Sequence, residues 1–198
     1  MILCEDTRQT RKLLDHYGVR TPTMAYHDHN EARKTPELVE RLIAGAQIAL
    51  VSDAGTPTIS DPGYRLLHAL RSTDVMVVPI PGASAVTALL SVSGLPTDRF
   101  LFEGFLPVKK GKRQRRLEEL AAERATIVLF ESPYRIARTL IECLDAWGDR
   151  PACAGRELTK KFEEIRRGTL SELCEWAGTK TMKGEITLAV AGCSASTG

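Results

Sequence analysis

The chain has 198 residues, with 27 Lys and Arg against 25 Asp and Glu. That length holds one large domain or two small ones with an adequate core, and a net charge of +2 excludes no class of partner until the charge is mapped along the chain. Cys4, Cys143, Cys153, Cys174 and Cys193 are odd in number and form no Cys-x-x-Cys pair, which excludes a disulfide framework or a structural zinc and fits a reducing cytoplasm.

No uninterrupted apolar run approaches the ~18 residues of a membrane span, and Met1–Cys4 meets Glu5-Asp6 too soon for a signal peptide. Met1–Cys4 reads as the end of a strand, with part of it expected upstream. Asp6-Thr7-Arg8-Gln9 has the pattern of a capping box, opening a helix that stops at Gly18. Thr23–Tyr26 reads as a short strand. His27 and His29 stand at i, i+2 in a polar loop, the pattern of surface residues, and no metal is expected. Thr35-Pro36-Glu37 should open the next helix, which turns Leu38, Val39, Leu42 and Ile43 inward and ends at Gly45.

The stretch from Ser52 to Gly63 follows a buried strand, Ile48–Val51, and precedes the helical pattern Tyr64–Leu70. A loop at the carboxyl end of a strand is where open α/β sheets bind small molecules. Asp53, Ala54, Gly55 and Thr56, with Ser60, combine small residues, hydroxyls and an acid in a way that a simple connection does not need. Asp61 and Pro62 read instead as the cap and first residue of the following helix. Val75–Val78 is a second predicted strand. It ends in Pro81-Gly82-Ala83-Ser84-Ala85 ahead of an apolar helix that stops near Gly94. The N–H groups around Ala83, Ser84 and Ala85 fit an acceptor on a ligand, and the same small residues fit tight helix-to-sheet packing; the residues alone leave both open.

Leu95–Arg99 is the expected boundary, giving an α/β fold of two tandem domains, residues 1–96 and 97–198. Beyond the aromatic-rich strand Phe100–Pro107, six of the eight residues from Lys109 to Arg116 are basic: Lys109, Lys110, Lys112, Arg113, Arg115 and Arg116. In a chain of near-zero net charge, such a concentration points to phosphate, RNA above all, over a merely solvated helix start. Ala125–Phe130 is the next strand, turning at Glu131-Ser132-Pro133 into a helix from Tyr134 to Trp147. Pro151–Gly155 is a short strand, Thr169–Glu172 a capping box, and Ile186–Ala191 the last strand.

These motifs, taken in order, resemble the tetrapyrrole methylase superfamily, and within it the bacterial ribosomal RNA small-subunit ribose 2′-O-methyltransferases. The resemblance rests on Glu5-Asp6-Thr7-Arg8, Ser52–Pro57 with Ser60–Gly63, Pro81–Ser84, Phe102–Pro107, Phe130–Pro133 with Arg135, and Arg156–Lys160. It implies two α/β domains with S-adenosylmethionine between them, a homodimer, and methylation of a cytidine ribose in the decoding region of 16S ribosomal RNA on the small subunit. Implied cofactor contacts are Asp53–Thr56, Ile59, Ser60, Ala83, Ser84, Ala85 and Phe130. Glu131, Glu157 and Lys160 are implied for catalysis; Arg8, Arg135 and Arg156 join the basic run as RNA contacts. Members ordinarily begin with a complete strand and a Pro-x-Gly-Asn turn before the Glu-Asp-Thr-Arg segment. Without that part, an unpaired strand edge and a weakened cofactor cleft are expected. Two rival functions are a small-molecule methylase of the tetrapyrrole type, which six clustered cations disfavour, and a non-catalytic RNA-binding remnant.

Overall fold

The computed structural model describes residues 1–179 and 182–194, and the chain divides into two compact units, Met1–Ala83 and Ser84–Gly198. In the first unit, three strands, β1 (Ile2–Cys4), β2 (Thr23–Ala25) and β3 (Ala49–Val51), form a parallel sheet in the order β2-β1-β3. Helices α1 (Thr7–His16), α2 (Glu31–Ile43) and α3 (Tyr64–Leu70) connect or follow them. Leu3, Tyr26, Leu38, Leu66 and Leu70 form the core. Asp6 caps α1 by accepting the Arg8 N–H at 2.8 Å, as expected of an acid ahead of a helix.

Four local expectations for this unit fail, among them the inward place of Ile43, which is 62% exposed. Helix α2 starts at Glu31 rather than at Thr35-Pro36, because His27 O accepts the N–H groups of Asn30 and Glu31 and closes a turn earlier. Pro36 then lies inside the helix, while Thr35 donates back to Glu31 O at 2.7 Å and meets the buried Tyr26 hydroxyl at 2.8 Å. Asp61 and Pro62 do not open α3; Gly63 is its cap residue, with no side-chain cap hydrogen bond. Val75–Val78 is no strand, since among the described residues no neighbouring strand pairs with it; Met76, Val77, Val78 and Ile80 are exposed.

The second unit begins with α4 (Ala85–Ser93), which ends on Gly94 in the left-handed region, φ +74°. Its sheet has five strands, β4 (Phe100–Phe105), β5 (Thr126–Glu131), β6 (Pro151–Arg156), β7 (Glu164–Thr169) and β8 (Ile186–Val190), in the order β4-β5-β8-β6-β7. Only β4 and β5 pair in parallel. Alternation along β5 divides the core: Val128 and Phe130 pack with Val86, Leu89 and Leu90 of α4, and Ile127 and Leu129 face a larger cluster on the other side. That cluster is closed by α5 (Lys110–Leu120), α6 (Ile136–Trp147) and α7 (Leu170–Gly178), the last opened by the expected Thr169–Glu172 capping box. Helix α4, placed with the first half by sequence, therefore packs on the second sheet.

Ion pairing ties α5 to its surroundings. The Arg113 side chain is only 4% exposed and grips Glu142 of α6 through two hydrogen bonds of 2.5 and 2.9 Å, while its third nitrogen donates to Pro107 O and Val108 O. Arg116 does the same to Glu103 of β4 at 2.6 and 2.7 Å and also reaches Glu119. The Arg113 hydrogen bonds, helped by Arg138 and opposed by partial burial, hold the Glu142 carboxyl at about 2.

Removing the guanidinium leaves a mostly buried carboxylate. Arg113→Met should lower unfolding free energy by about 2–3 kcal/mol, less than the ~3–5 for a fully buried pair because Glu142 keeps Arg138. Exposed Arg115→Met should stay within ~0.5 kcal/mol. A lowered carboxylate pKa stabilises the fold above the unfolded value and ceases to do so as pH falls. Wild-type urea midpoints should therefore drop between pH 4.5 and about 2, with a shallower drop in Arg113→Met.

Candidate functional site

Because β1, β2 and β3 run parallel, the segments that leave them emerge at one edge: Glu5-Asp6 after β1, Tyr26–Asp28 after β2 and Ser52–Ser60 after β3. The edge is acidic. Partial desolvation and then the charges of Asp53, Asp61 and Asp28 hold the Glu5 carboxyl above the ordinary carboxylate range, with His27 opposing them. The three acids that act on Glu5 come from two other strands' loops, so the charge clusters in space and not only in sequence. Among the described residues, no group of three or more His, Cys, Asp or Glu is placed to hold a metal.

The Ser52–Gly63 loop is strained and held from both sides. Thr58 and Ser60 have φ of +73° and +62°, positions that a β-branched residue in particular avoids. Ser52 Oγ donates to Ala54 O and Gly55 O, and Thr56 Oγ1 donates to Ala83 O at 3.0 Å. Gly55 needs its φ of +82°, and a Cβ there would meet nothing nearer than Ala83 O at 3.8 Å, so the backbone is open to a neighbour. Asp53, Ala54, Gly55, Thr56, Ile59, Ser60 and Ala83 are exposed, with Ser84 and Ala85 half-buried at the start of α4. At its far end the loop is anchored by Glu31, whose carboxylate accepts from Arg65 at 2.9 Å and from the Gly63 N–H at 3.4 Å. Glu31 carries no mark of this role in the sequence. Its backbone partner, Gly63, lies 32 residues on.

The second unit also gathers loops at one edge. Register places Glu131 of β5 beside Ile186 of β8, and Ile186 beside Arg156 of β6, which pairs with Glu164 of β7. Glu131 lies among four donors there: Ser132 N–H, two Arg135 nitrogens and the Thr139 hydroxyl at 2.6 Å. Its carboxylate is buried and spent on holding the β5–α6 turn. Phe130 meets Phe102 and Phe105 edge to face. Glu157 and Thr159 have φ of +51° and +64°, and Glu157 accepts from the Glu185 N–H at 2.9 Å and from Lys160 Nζ at 3.1 Å. Lys160 also reaches Glu185 at 2.9 Å. The Glu185 N–H, against partial burial and with Lys160, lowers the Glu157 pKa. Burial works against the Lys160 charge, but its bonds to Glu185 and Glu157 outweigh that and raise its pKa. Gly184 and Glu185, which the sequence did not mark, complete this arrangement: a Cβ on Gly184 would collide with the Glu157 side chain.

The nine cations expected to meet RNA fall into two groups. Arg8 pairs with Asp6, Arg113 with Glu142, Arg116 with Glu103, Arg135 with Glu131 and Arg156 with Glu164. Lys109, Lys110, Lys112 and Arg115 are exposed, and no carboxylate among the described residues forms an ion pair with them. The free charge of the basic run is thus four cations rather than six.

Comparison with known proteins gives this arrangement a lineage. Residues 1–174 match the family model of tetrapyrrole (corrin/porphyrin) methylases. The chain is 53% identical over 192 residues to ribosomal RNA small subunit methyltransferase I of Mesorhizobium japonicum, covering 96% of this chain and 65% of that protein. It is 50% identical over 195 residues to the Vibrio cholerae protein of the same name, covering 97% and 68%. The chain therefore spans about two thirds of the length of these curated relatives. Among solved structures, diphthine synthase superposes with a TM-score of 0.65 at 15% identity, over 96% of this chain and 78% of that one. Uroporphyrin-III C-methyltransferase from Thermus thermophilus, complexed with S-adenosylhomocysteine, gives 0.55 at 16%, over 95% and 96%. Those identities speak for the fold alone. With seven eighths of its length matched by the family model and half its residues shared with relatives, the chain belongs to the tetrapyrrole (corrin/porphyrin) methylases.

Proposed function

We propose that the chain is the catalytic body of an S-adenosylmethionine-dependent methyltransferase that acts on the 2′-hydroxyl of a cytidine ribose in 16S ribosomal RNA of the small subunit, working as a homodimer in the cytoplasm. The observation that carries the choice of RNA is the set of four unpaired cations at the start of α5, since a tetrapyrrole with a few carboxylates does not need them. The names of the relatives at 53% and 50% identity point the same way.

The exposed backbone of Ala54–Gly55 and the acids of the first sheet edge suit a cofactor that carries positive charge. Asp53–Thr56, Ile59, Ser60, Ala83, Ser84 and Ala85 are the residues assigned to hold it, with Phe130. S-adenosylmethionine supplies an electrophilic methyl carbon on a sulfonium, so the protein's task is alignment. Lys160 is a fixed cation steadied by two carboxylates, and its part is to favour the developing alkoxide of the ribose, whose proton passes to solvent water. Glu157 orients Lys160. Its lowered pKa makes it a weak proton acceptor, and Glu131, enclosed by donors, holds the turn.

Gly55→Val should abolish cofactor binding in isothermal titration with the circular dichroism spectrum retained, because a β-branched residue at φ +82° displaces the loop. Unchanged affinity in a folded variant removes this loop from the site. Replacing Lys109, Lys110, Lys112 and Arg115 by Ser should flatten the plot of log RNA affinity against log salt by roughly 0.7 for each phosphate no longer neutralised. An unaltered slope makes the run a solvated surface. Lys160→Met should lower kcat more than it raises either KM. Since Glu157 stays ionised below the ordinary carboxylate range, the wild-type rate should show no acid limb between pH 5 and 8, and a limb there that Glu157→Gln removes would restore Glu157 as the base.

A further inference from the structure

At the edge of the second sheet where β4, β5 and β6 end and β7 begins, three aromatic rings stand in water. Tyr134 is 90% exposed, Phe162 63% and Phe105 57%. Each sits in or beside a different connection: Phe105 at the end of β4, Tyr134 in the β5–α6 turn, Phe162 between β6 and β7. The strand order β4-β5-β8-β6-β7 spreads these connections over four strand spacings, roughly 19 Å at ~4.8 Å each. Exposed cations accompany them. Lys109 and Lys110 follow Phe105 by a few residues, and Lys161 stands 5.7 Å from the Phe162 ring centroid. Most carboxylates of the same edge are ion-paired, Glu131 with Arg135, Glu157 and Glu185 sharing Lys160, and Glu164 with Arg156 and Arg166, while Glu163 accepts the Thr159 N–H.

Phe105 sets one edge against Phe130, but the ring surface that all three leave in water costs hydration free energy unless something covers it. Exposed rings interleaved with unpaired cations match the requirements of a nucleic acid whose bases are free of a helix: the cations track phosphates and the rings take base faces. A duplex keeps its base faces stacked inside and offers the rings nothing.

With RNA as the substrate, as proposed above, we infer that Tyr134, Phe162 and Phe105 form a stacking platform for unpaired nucleotides, so that the chain takes single-stranded or locally opened RNA in preference to duplex. Positioning by stacking tolerates different bases, leaving nucleotide choice to other contacts.

The test uses the full chain and a short oligoribonucleotide carrying 2-aminopurine, single-stranded or annealed to its complement. Wild type should bind the single strand about tenfold or more tightly than the duplex and quench 2-aminopurine as the base stacks. Phe105→Ala/Tyr134→Ala/Phe162→Ala should lose the quench and lower single-strand affinity by about 5- to 150-fold per ring engaged, with the salt slope unchanged because no cation is removed. Tyr134→Phe should keep both. If the triple variant does not fold, Tyr134→Ala alone decides, since that ring is almost wholly in solvent. Equal affinity for both RNA forms, or undiminished binding by the folded alanine variants, overturns the platform and leaves the RNA reading standing. Conversion of a dimer to a monomer in sedimentation, with RNA binding intact, would overturn the platform too and make the rings a self-association surface. No binding of any RNA by wild type overturns both readings together.

Discussion

Parallel pairing of Ile2–Cys4 with both Thr23–Ala25 and Ala49–Val51 sends three loops out of the same sheet edge, and much of the first unit follows from that constraint. The acids near Glu5 crowd because the strands that carry them point the same way. The Ser52–Gly63 loop can hold Thr58 and Ser60 in the left-handed region because Thr56, Ser52 and, through Gly63, Glu31 fix it at several points. Strain of this kind persists only where surroundings over-determine the backbone. Here the surroundings are one ion pair and a few side-chain hydrogen bonds, which makes Glu31 and Arg65 as much a part of the loop as its own residues.

The same logic of neutralisation shapes the second unit. Buried and half-buried carboxylates on its strands and on α6 need partners, and the chain provides arginines: Arg113 for Glu142, Arg116 for Glu103, Arg135 for Glu131 and Arg156 for Glu164. Arginine suits these places because its planar fork meets a carboxylate with two parallel bonds. Lysines make up most of the unpaired remainder, and a flexible, hydrated point charge suits a mobile phosphate backbone. A division of labour between guanidinium inside and ammonium outside thus turns a basic run into a structural clasp and a free patch on the same helix.

How much of this is legible in sequence depends on the distance between interacting residues. The Thr169–Glu172 capping box is read correctly, and Asp6 caps its helix as read, though through the Arg8 N–H two residues on and not through a box with Gln9. The motif loops after β3 and β5 are legible as loops at strand ends. Val75–Val78 shows that β-propensity is not a strand: the run has every local mark of one, but a ladder needs a second strand. Strand β7, Glu164–Thr169, is the opposite case, a charged edge strand without apolar alternation, made by pairing with β6. Pro36 misleads because a local rule for helix starts gives way to a turn closed at His27. Which cations are free is beyond sequence altogether, since Arg113 finds its acid 29 residues away and Arg116 finds one 13 residues back.

The central claim is that the transferred methyl group ends on an RNA ribose. The most direct measurement offers methyl-labelled S-adenosylmethionine to the chain with small ribosomal subunits, with naked small-subunit RNA and with a tetrapyrrole, then digests the labelled product in alkali. A 2′-O-methyl group removes the hydroxyl that attacks the adjacent phosphodiester, so label in an alkali-resistant dinucleotide from RNA is the result this account predicts. Label on the tetrapyrrole, on an RNA base released as a single nucleotide, or on none of the three would contradict it.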